Sequence, residues 1–191
     1  MTDSNALLWL DAETTGLDPN EHRLLQVAGM ITDKDGNQLS DEFEHVVGYP
    51  EETVTKELLP LANTTVLLMH TRTGLWRRLP DGQPLDVIDQ AILDVVQKFE
   101  PQPRKLRLAG NSVRLDANFA DRYLPLTSAH LHYRLVDVSG LEWLLRTRGV
   151  IDTWYEKKLT HNAIDDIRES VAQYRWLIQA LTEKTGLRPA V

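Results

Sequence analysis

Two carboxylates at the end of the first apolar stretch are the residues of this chain with the clearest capacity for chemistry. Asp11 and Glu13 close the run Ala6-Leu7-Leu8-Trp9-Leu10-Asp11-Ala12-Glu13, and the turn-forming segment Gly16-Leu17-Asp18-Pro19 follows soon after. Side chains alternate between the two faces of a strand, so both acids project on the same side. Like charges this close repel each other unless a hard cation such as Mg2+ lies between them. On these residues alone, a metal site and a strand end with two solvated acids are both open.

Two further acids and one histidine occupy positions from which they could join this pair. Asp116 falls in the first turn of a predicted helix that follows a short strand, and Asp166 lies on the last predicted helix. His161 stands five residues before Asp166. Each has an ordinary alternative, since the helix dipole favours first-turn acids and a lone histidine is more often at the surface. Together they predict a carboxylate cluster at the carboxyl edge of a sheet, which would repel itself strongly without metal.

Hydrophobic periodicity and turn residues predict the elements that must position this cluster. The predicted strands cover 6–13, 23–32, 43–47, 106–109 and 133–138, with a hairpin signal at 33–37 between the second and third. The predicted helices cover 84–100, a stretch from about 113 to before Pro125, 140–148 with Ser139 as N-cap, and about 162–184; short helices broken at Pro60 are expected within 51–83. This order indicates an α/β or α+β domain with a mixed sheet that opens as an antiparallel meander.

Composition narrows the class of protein. With 191 residues, 42% hydrophobic and 26% charged, the chain is expected to form one domain over 1–191. It has no cysteine, which excludes disulfides and thiolate metal sites. A formal net charge of −7 argues against non-specific coating of long nucleic acids but permits a short nucleotide substrate. No signal-peptide pattern or stretch of roughly 20 apolar residues is present, so we expect a soluble cytoplasmic protein without a membrane partner.

Three segments of the chain resemble the three motifs of the DEDDh 3′–5′ exonucleases, and within that superfamily the chain most resembles the oligoribonucleases. The segments are Asp11-Ala12-Glu13-Thr14-Thr15-Gly16-Leu17, Gly110-Asn111-Ser112-Val113-Arg114-Leu115-Asp116 and His161-Asn162-Ala163-Ile164-Asp165-Asp166. Supporting similarity lies in the segments 70–75, 132–139 and 167–170. The segments occur in matching order and at approximately matching spacing over nearly the whole chain.

The resemblance implies a ribonuclease H-like fold, a mixed five-stranded sheet flanked by helices, with a metal-dependent active site. Two divalent cations, Mg2+ or Mn2+, would be held by four carboxylates: Asp11, Glu13, Asp116 and Asp166. His161 would accept the proton of the attacking water, a role suited to an imidazole that titrates near neutral pH. Asp165 points roughly 100° away from Asp166 on a helix and is not expected to ligate.

The resemblance also implies a set of substrate-binding residues: Leu17, Thr14, His70, Ser112, Ser139, Tyr133 and Arg134. Leu17 would wedge against a base, His70 would line the base pocket, and Ser112 and Ser139 would lie near the terminal phosphate. Tyr133 and Arg134 would reach into the active site of a partner, which implies a homodimer.

One position departs from the family pattern. Where the oligoribonucleases usually carry a tryptophan, five residues before the histidine that matches His70, this chain has Thr65. Stacking on an aromatic ring contributes roughly 1–3 kcal/mol per base, so its loss predicts a weaker dinucleotide pocket. Trp76, in the nearby segment Trp76-Arg77-Arg78, is a candidate for the missing ring.

Three functions are therefore carried forward. The leading hypothesis is a 3′–5′ exoribonuclease that degrades short oligoribonucleotides to 5′-mononucleotides with Mg2+ or Mn2+. The second is a DEDDh exonuclease of the proofreading or trimming type acting on longer single-stranded DNA or RNA. The third is a non-catalytic nucleotide-binding module on an exonuclease fold, which the complete acid set argues against.

Overall fold

A five-stranded mixed sheet forms the centre of the structure, a computed structural model that describes residues 5–156 and 162–186. Its strands are β1 (Ala6–Thr14), β2 (Leu24–Asp33), β3 (Phe43–Val46), β4 (Arg107–Gly110) and β5 (His132–Asp137), in the spatial order β3-β2-β1-β4-β5. The first three strands pair antiparallel, whereas β4 pairs parallel with β1 and with β5. The predicted mixed sheet with an antiparallel opening is confirmed.

Helices cover both faces of the sheet. They are α1 (Glu51–Thr53), a π-helical turn (Val54–Leu58), α2 (Leu59–Leu61), α3 (Thr64–Arg72), α4 (Leu75–Arg78), a 3-10 turn (Leu79–Asp81), α5 (Leu85–Phe99), α6 (Arg114–Tyr123), α7 (Pro125–His130), α8 (Val138–Thr147) and α9 (Ala163–Thr185). Among the described helices, none has the length and apolar character needed to cross a bilayer.

The alternation of side chains along β1 decides which helices face the two acids at the end of the strand. Leu8 and Leu10 pack in the core layer that contains the apolar side of α5 and part of α6. Leu7 and Trp9 point the other way, into the layer formed with α8 and α9. Asp11 and Glu13 continue the odd register of Leu7 and Trp9, which places them on the α9 side at the carboxyl end of the strand.

Two local predictions were wrong, and one short helix was not predicted. Pro60 does not break its helix; it lies in α2, and the chain leaves the helix after Leu61. Pro125 ends α6 as predicted but also starts α7, where its fixed φ suits a first helical turn. The N-cap of α8 is Asp137, whose carboxylate accepts from the N–H of Gly140, and Ser139 lies inside the helix.

Candidate active site

Three carboxylates meet at the end of β1. Oxygen atoms of Asp11, Glu13 and Asp166 lie within 4.8 Å of one another. The first two come from adjacent same-face positions of the strand, and Asp166 comes from the first turn of α9. Asn162 caps that helix by accepting from the N–H of Ile164, which fixes where the first turn begins. Sequence positions 155 residues apart are thus brought into one acidic site.

Asp116 supplies a fourth carboxylate from α6. Its Oδ1 accepts a hydrogen bond of 3.0 Å from the backbone N–H of Ala12, the residue between Asp11 and Glu13. It also lines the same cleft as the other three acids, although it is outside the group whose oxygens meet within 4.8 Å. The predicted acid set therefore converges, with Asp116 held by the backbone of β1.

Burial and mutual repulsion make these acids hard to ionise in the metal-free protein. Burial raises the pKa of Glu13 to about 8, and the neighbouring carboxylates of Asp11, Asp166 and Asp116 add to the shift. Burial and the charge of Asp11 likewise raise the pKa of Asp116 to about 8, against the opposing bond from Ala12. A cation removes both causes at once, since it compensates the charge and replaces lost solvation. The donor set, all carboxylate oxygens, fits a hard divalent cation.

The neighbouring acid, Asp165, is engaged elsewhere. Its Oδ1 accepts from Arg168 at 2.9 Å, and Arg168 also binds Glu42 through two further N–H groups. Asp166 rather than Asp165 thus belongs to the acidic site, as the helical spacing predicts. His161, the predicted proton acceptor, lies outside the described residues.

A cleft of about 260 Å³ opens over the carboxylates. It is lined by Asp11, Ala12, Glu13, Thr14, Gly16, Leu17, Val66, Met69, Asn111, Ser112, Leu115, Asp116 and Asp166. Three of the predicted substrate residues, Thr14, Leu17 and Ser112, are in this lining. Leu17 is 74% exposed, so its side chain is free to contact a ligand.

A hydrogen-bonded turn after β4 forms another side of the cleft. Ser112 adopts a left-handed conformation (φ 49°), which is unusual for a residue with a side chain, and its N–H donates to Ser139 Oγ at 3.1 Å. Ser139 Oγ in turn donates to Asn111, whose amide group donates to Ser170 and Gln173 on α9. Ser112 and Ser139 are thereby brought together beside the acids.

His70 lies behind the cleft wall. Its ring is buried, with Nε2 2.9 Å from the carbonyl of Thr14 and Nδ1 3.8 Å from a carboxylate oxygen of Glu13. Burial lowers the pKa of His70, which favours the neutral ring. The bond to Thr14 then requires the proton on Nε2 and leaves Nδ1 as an acceptor facing Glu13. The predicted role of His70 in a base pocket stays a prediction.

Trp76 does not offer a free ring to the cleft. It is buried against His70, edge to face with ring centroids 5.4 Å apart, and its Nε1 donates to the carbonyl of Leu67. Thr65 is exposed, and the part of α3 that lines the cleft consists of Val66 and Met69. This wall is therefore aliphatic.

Tyr133 and Arg134 occupy the outer edge strand, away from the carboxylate cleft. Tyr133 is 70% exposed, and the guanidinium of Arg134 lies over its ring at 5.4 Å. Neither residue lines the cleft of its own chain. The structure therefore brings them together with each other but not with the acids.

Sequence reasoning missed Asn111, Val66 and Met69 as parts of the site. The sequence position of Asn111 could have indicated a place in the site, since it follows a strand and lies within the second motif. Val66 and Met69 had no such signal beyond helical apolar spacing, because only the tertiary packing of α3 turns them toward the acids.

The sequence profile of the family described as Exonuclease matches residues 8–174. The chain belongs to this exonuclease family. A curated relative, the oligoribonuclease of Francisella tularensis subsp. tularensis, is 35% identical over 182 residues, covering 95% of this chain and 98% of the relative. The predicted kinship with oligoribonucleases and the assignment as a nuclease are thus confirmed.

Solved structures of exonucleases share the fold. Exonuclease I from Methylocaldum szegediense superposes with a TM-score of 0.68 at 17% identity over 95% of this chain. A zinc-bound complex of E. coli exonuclease I with single-stranded DNA superposes with a TM-score of 0.66 at 16% identity over 96% of this chain. The chain spans about two fifths of the length of these two proteins, 41% in each case.

Proposed function

We propose that this exonuclease hydrolyses short single-stranded oligoribonucleotides from the 3′ end and releases 5′-mononucleotides. The observation that carries the proposal is the convergence of Asp11, Glu13, Asp116 and Asp166 beneath one open cleft, with pKa values of two acids raised to about 8. Such a cluster is unstable as a charged group on its own and is well matched to divalent cations. Kinship with oligoribonucleases supports RNA as the substrate.

The same four carboxylates would hold two divalent cations, Mg2+ or Mn2+. When bound, such cations lower the pKa of a water molecule and stabilise the charge on the departing 3′ oxygen. The bond between Asp116 and the Ala12 N–H keeps that acid in place before any cation arrives. We assign His161 as the acceptor of the water proton on the family pattern alone.

The cleft lining suggests how the chain orients its substrate. The left-handed turn at Ser112, held by Ser139, presents polar groups beside the acids, where a terminal phosphate would lie. Leu17, Val66 and Met69 all belong to the lining of this cleft, and these apolar side chains suit a base. Thr14 is held by a bond from its hydroxyl to the carbonyl of Gly16, and its own carbonyl fixes His70.

We further propose a homodimer in the cytoplasm. Tyr133 and Arg134 are exposed on an edge strand and do not line the cleft of their own chain, as expected for residues that serve a partner's site. An exposed strand edge is also a surface that favours pairing with another chain.

A second candidate is the cleavage of longer single strands of DNA or RNA. It is favoured by the aliphatic wall of Val66 and Met69, because the ring expected to grip a terminal base is missing and Trp76 is buried. A pocket without a stacking ring discriminates less strongly in favour of the shortest oligomers.

The experiment that separates these functions is a time course with purified protein and Mn2+. The substrates are a 5′-phosphorylated RNA dinucleotide, a seven-residue RNA and the matched single-stranded DNA, with His161→Ala as the control. Fast dinucleotide cleavage that is lost in the variant supports the oligoribonuclease function, whereas a preference for the heptamer or for DNA supports the second candidate. No cleavage of any substrate contradicts both.

A non-catalytic module is tested by the same preparation. Mn2+ is expected to raise the melting temperature of the wild type, and Asp11→Ala is expected to abolish that gain. A protein that gains stability from Mn2+ and cleaves nothing would be a binding module.

A further inference from the structure

Two exposed tryptophans lie near one arginine of α8, one in contact with it and one on the same face of the helix. Trp143 is 60% exposed and Trp154 is 53% exposed. The guanidinium carbon of Arg146 lies 5.3 Å from the ring centroid of Trp154, and the same group donates to the carbonyl of Asp152. Trp143 and Arg146 are three residues apart on α8 and so share a helix face. We refer to Trp143, Arg146 and Trp154 as the indole patch.

The indole patch is not needed to close the hydrophobic core. The neighbouring apolar residues Leu145 and Ile151 are buried in the layer between the sheet and α9. Tyr155, next to Trp154, packs against Trp176 of α9 with ring centroids 5.7 Å apart. The two exposed indoles are therefore additional to the packing that holds this layer together, and exposed aromatic clusters mark interaction surfaces.

The patch continues from the cleft along α8. Ser139, in the first turn of α8, is bonded to Ser112, which lines the carboxylate cleft. An α-helix rises 1.5 Å per residue, so Trp143 lies about 6 Å and Arg146 about 10 Å beyond Ser139 along the axis. A strand whose 3′ end occupies the cleft can thus reach the patch with its preceding nucleotides.

The pairing of an arginine with indole rings, on a part of an acidic chain that carries no excess negative charge, favours nucleic acid over other occupants of the patch. The chain as a whole carries −7, whereas the described residues 143–156 contain as many basic side chains, Arg146 and Arg148, as acidic ones, Asp152 and Glu156. Indole faces beside an arginine are the combination that binds single strands, since bases stack on the rings and the cation meets the phosphates.

We propose that the indole patch binds nucleotides of an RNA strand that precede the cleaved residue. This inference rests on the proposed exoribonuclease function. The inference adds a substrate class to that function: oligoribonucleotides long enough to span from the cleft to the patch. The aliphatic wall at Val66 and Met69 offers no ring for base stacking, and the indole patch supplies that stacking to nucleotides farther along the RNA.

The test compares Trp143→Ala, Trp154→Ala and the double variant on RNA of two lengths. For the heptamer, each single variant is expected to raise KM about tenfold, the effect of losing roughly one stacked base, with kcat little changed. For the dinucleotide, which is too short to reach the patch, kcat/KM is expected to stay within twofold. Trp→Phe at each position retains a ring and should restore most of the heptamer affinity.

A matched control is Leu126→Ala on α7, where an apolar side chain of similar exposure lies on another surface. It should change neither substrate. Equal loss on the dinucleotide and the heptamer, or no change on either, would overturn the proposal. A change in the sedimentation coefficient of the tryptophan variants without a change in RNA affinity would also overturn it, because the patch would then join copies of the chain.

Binding measured without turnover separates this inference from the proposed function. Fluorescence anisotropy of a labelled heptamer RNA in EDTA is expected to show about tenfold weaker binding for each alanine variant. Such a loss supports the patch even where no preparation cleaves RNA, in which case the exoribonuclease function alone fails. Unchanged anisotropy in a protein that does cleave RNA contradicts the patch alone.

Discussion

Asp116 accepts a hydrogen bond of 3.0 Å from the backbone N–H of Ala12, the residue between Asp11 and Glu13. The bond ties the first turn of α6 to the carboxyl end of β1. It also partly offsets the burial that raises the pKa of Asp116 to about 8. The position of this acid is therefore set by backbone structure, whereas its charge is disfavoured until a cation binds.

Position and charge can be separated with Asp116→Asn. The amide oxygen can still accept from Ala12, so we expect a melting temperature in EDTA at pH 8 equal to or above that of the wild type. The gain in melting temperature with Mn2+ should shrink, and RNA cleavage should fall at least about a hundredfold because a negative ligand is lost. Asp121→Asn, an exposed acid on the same helix, is the control. An undiminished Mn2+ gain in Asp116→Asn would contradict the assignment.

The raised pKa values predict how the metal-free protein responds to pH. The ordinary pKa of Glu13 is 4.5 and that of Asp116 is 3.8, and in the folded chain each pKa is raised to about 8. Between these limits the folded state binds more protons than the unfolded state, so stability falls as pH rises from about 4 to 8. The urea midpoint in EDTA should therefore decrease from pH 5 to pH 8.5.

Two variants check that this pH dependence comes from the site. Glu13→Gln removes one of the titrating groups and should flatten the fall in urea midpoint. Glu57→Gln removes an exposed acid far from the cluster in the sequence and should leave the slope as in the wild type. Equal slopes in wild type and Glu13→Gln would mean that Glu13 is not the source.

Neighbouring acids on α9 provide a matched pair for catalysis. Asp166 meets Asp11 and Glu13, whereas Asp165 binds the exposed Arg168. Asp166→Asn should lower kcat on RNA at least about a hundredfold and remove the stabilisation by Mn2+. Asp165→Asn should keep kcat within about threefold, because Asp165 binds Arg168 and is not among the acids that meet at the site, and the loss of an exposed ion pair has little effect on the fold. Similar kcat losses in both variants would contradict the placement of the site.

Much of the site was predictable because strong local patterns carry it. The alternation in β1 places Asp11 and Glu13 on one face, and the apolar stripe of α9 turns Asp166 rather than Asp165 toward the sheet. These signals depend only on the periods of strand and helix. The mixed sheet followed from the same reasoning about turns and element order.

The rest depends on contacts between distant segments. Nothing local indicates that α3 approaches the acids through Val66 and Met69, or that Trp76 turns inward against His70. The π-helical turn at Val54–Leu58 likewise arises within a stretch whose sequence reads as ordinary short helices. Tertiary packing determines such features, and the hydrophobic periodicity of the sequence does not predict tertiary packing.

The start of α8 was misassigned because two polar residues compete for the N-cap. Asp137 takes that role through its bond of 3.1 Å to Gly140, which leaves Ser139 free to bind Asn111 and Ser112. Asp137→Ala should thus lower the free energy of unfolding by about 1 kcal/mol, with KM for RNA unchanged. Ser139→Ala should instead act mainly on the KM for RNA, with a smaller effect on the free energy of unfolding. Urea unfolding and steady-state kinetics on both variants measure the difference, and Asp137→Asn, which retains a capping oxygen, should recover most of the stability. If only Ser139→Ala lowered the free energy of unfolding, the N-cap of α8 would be Ser139 and not Asp137.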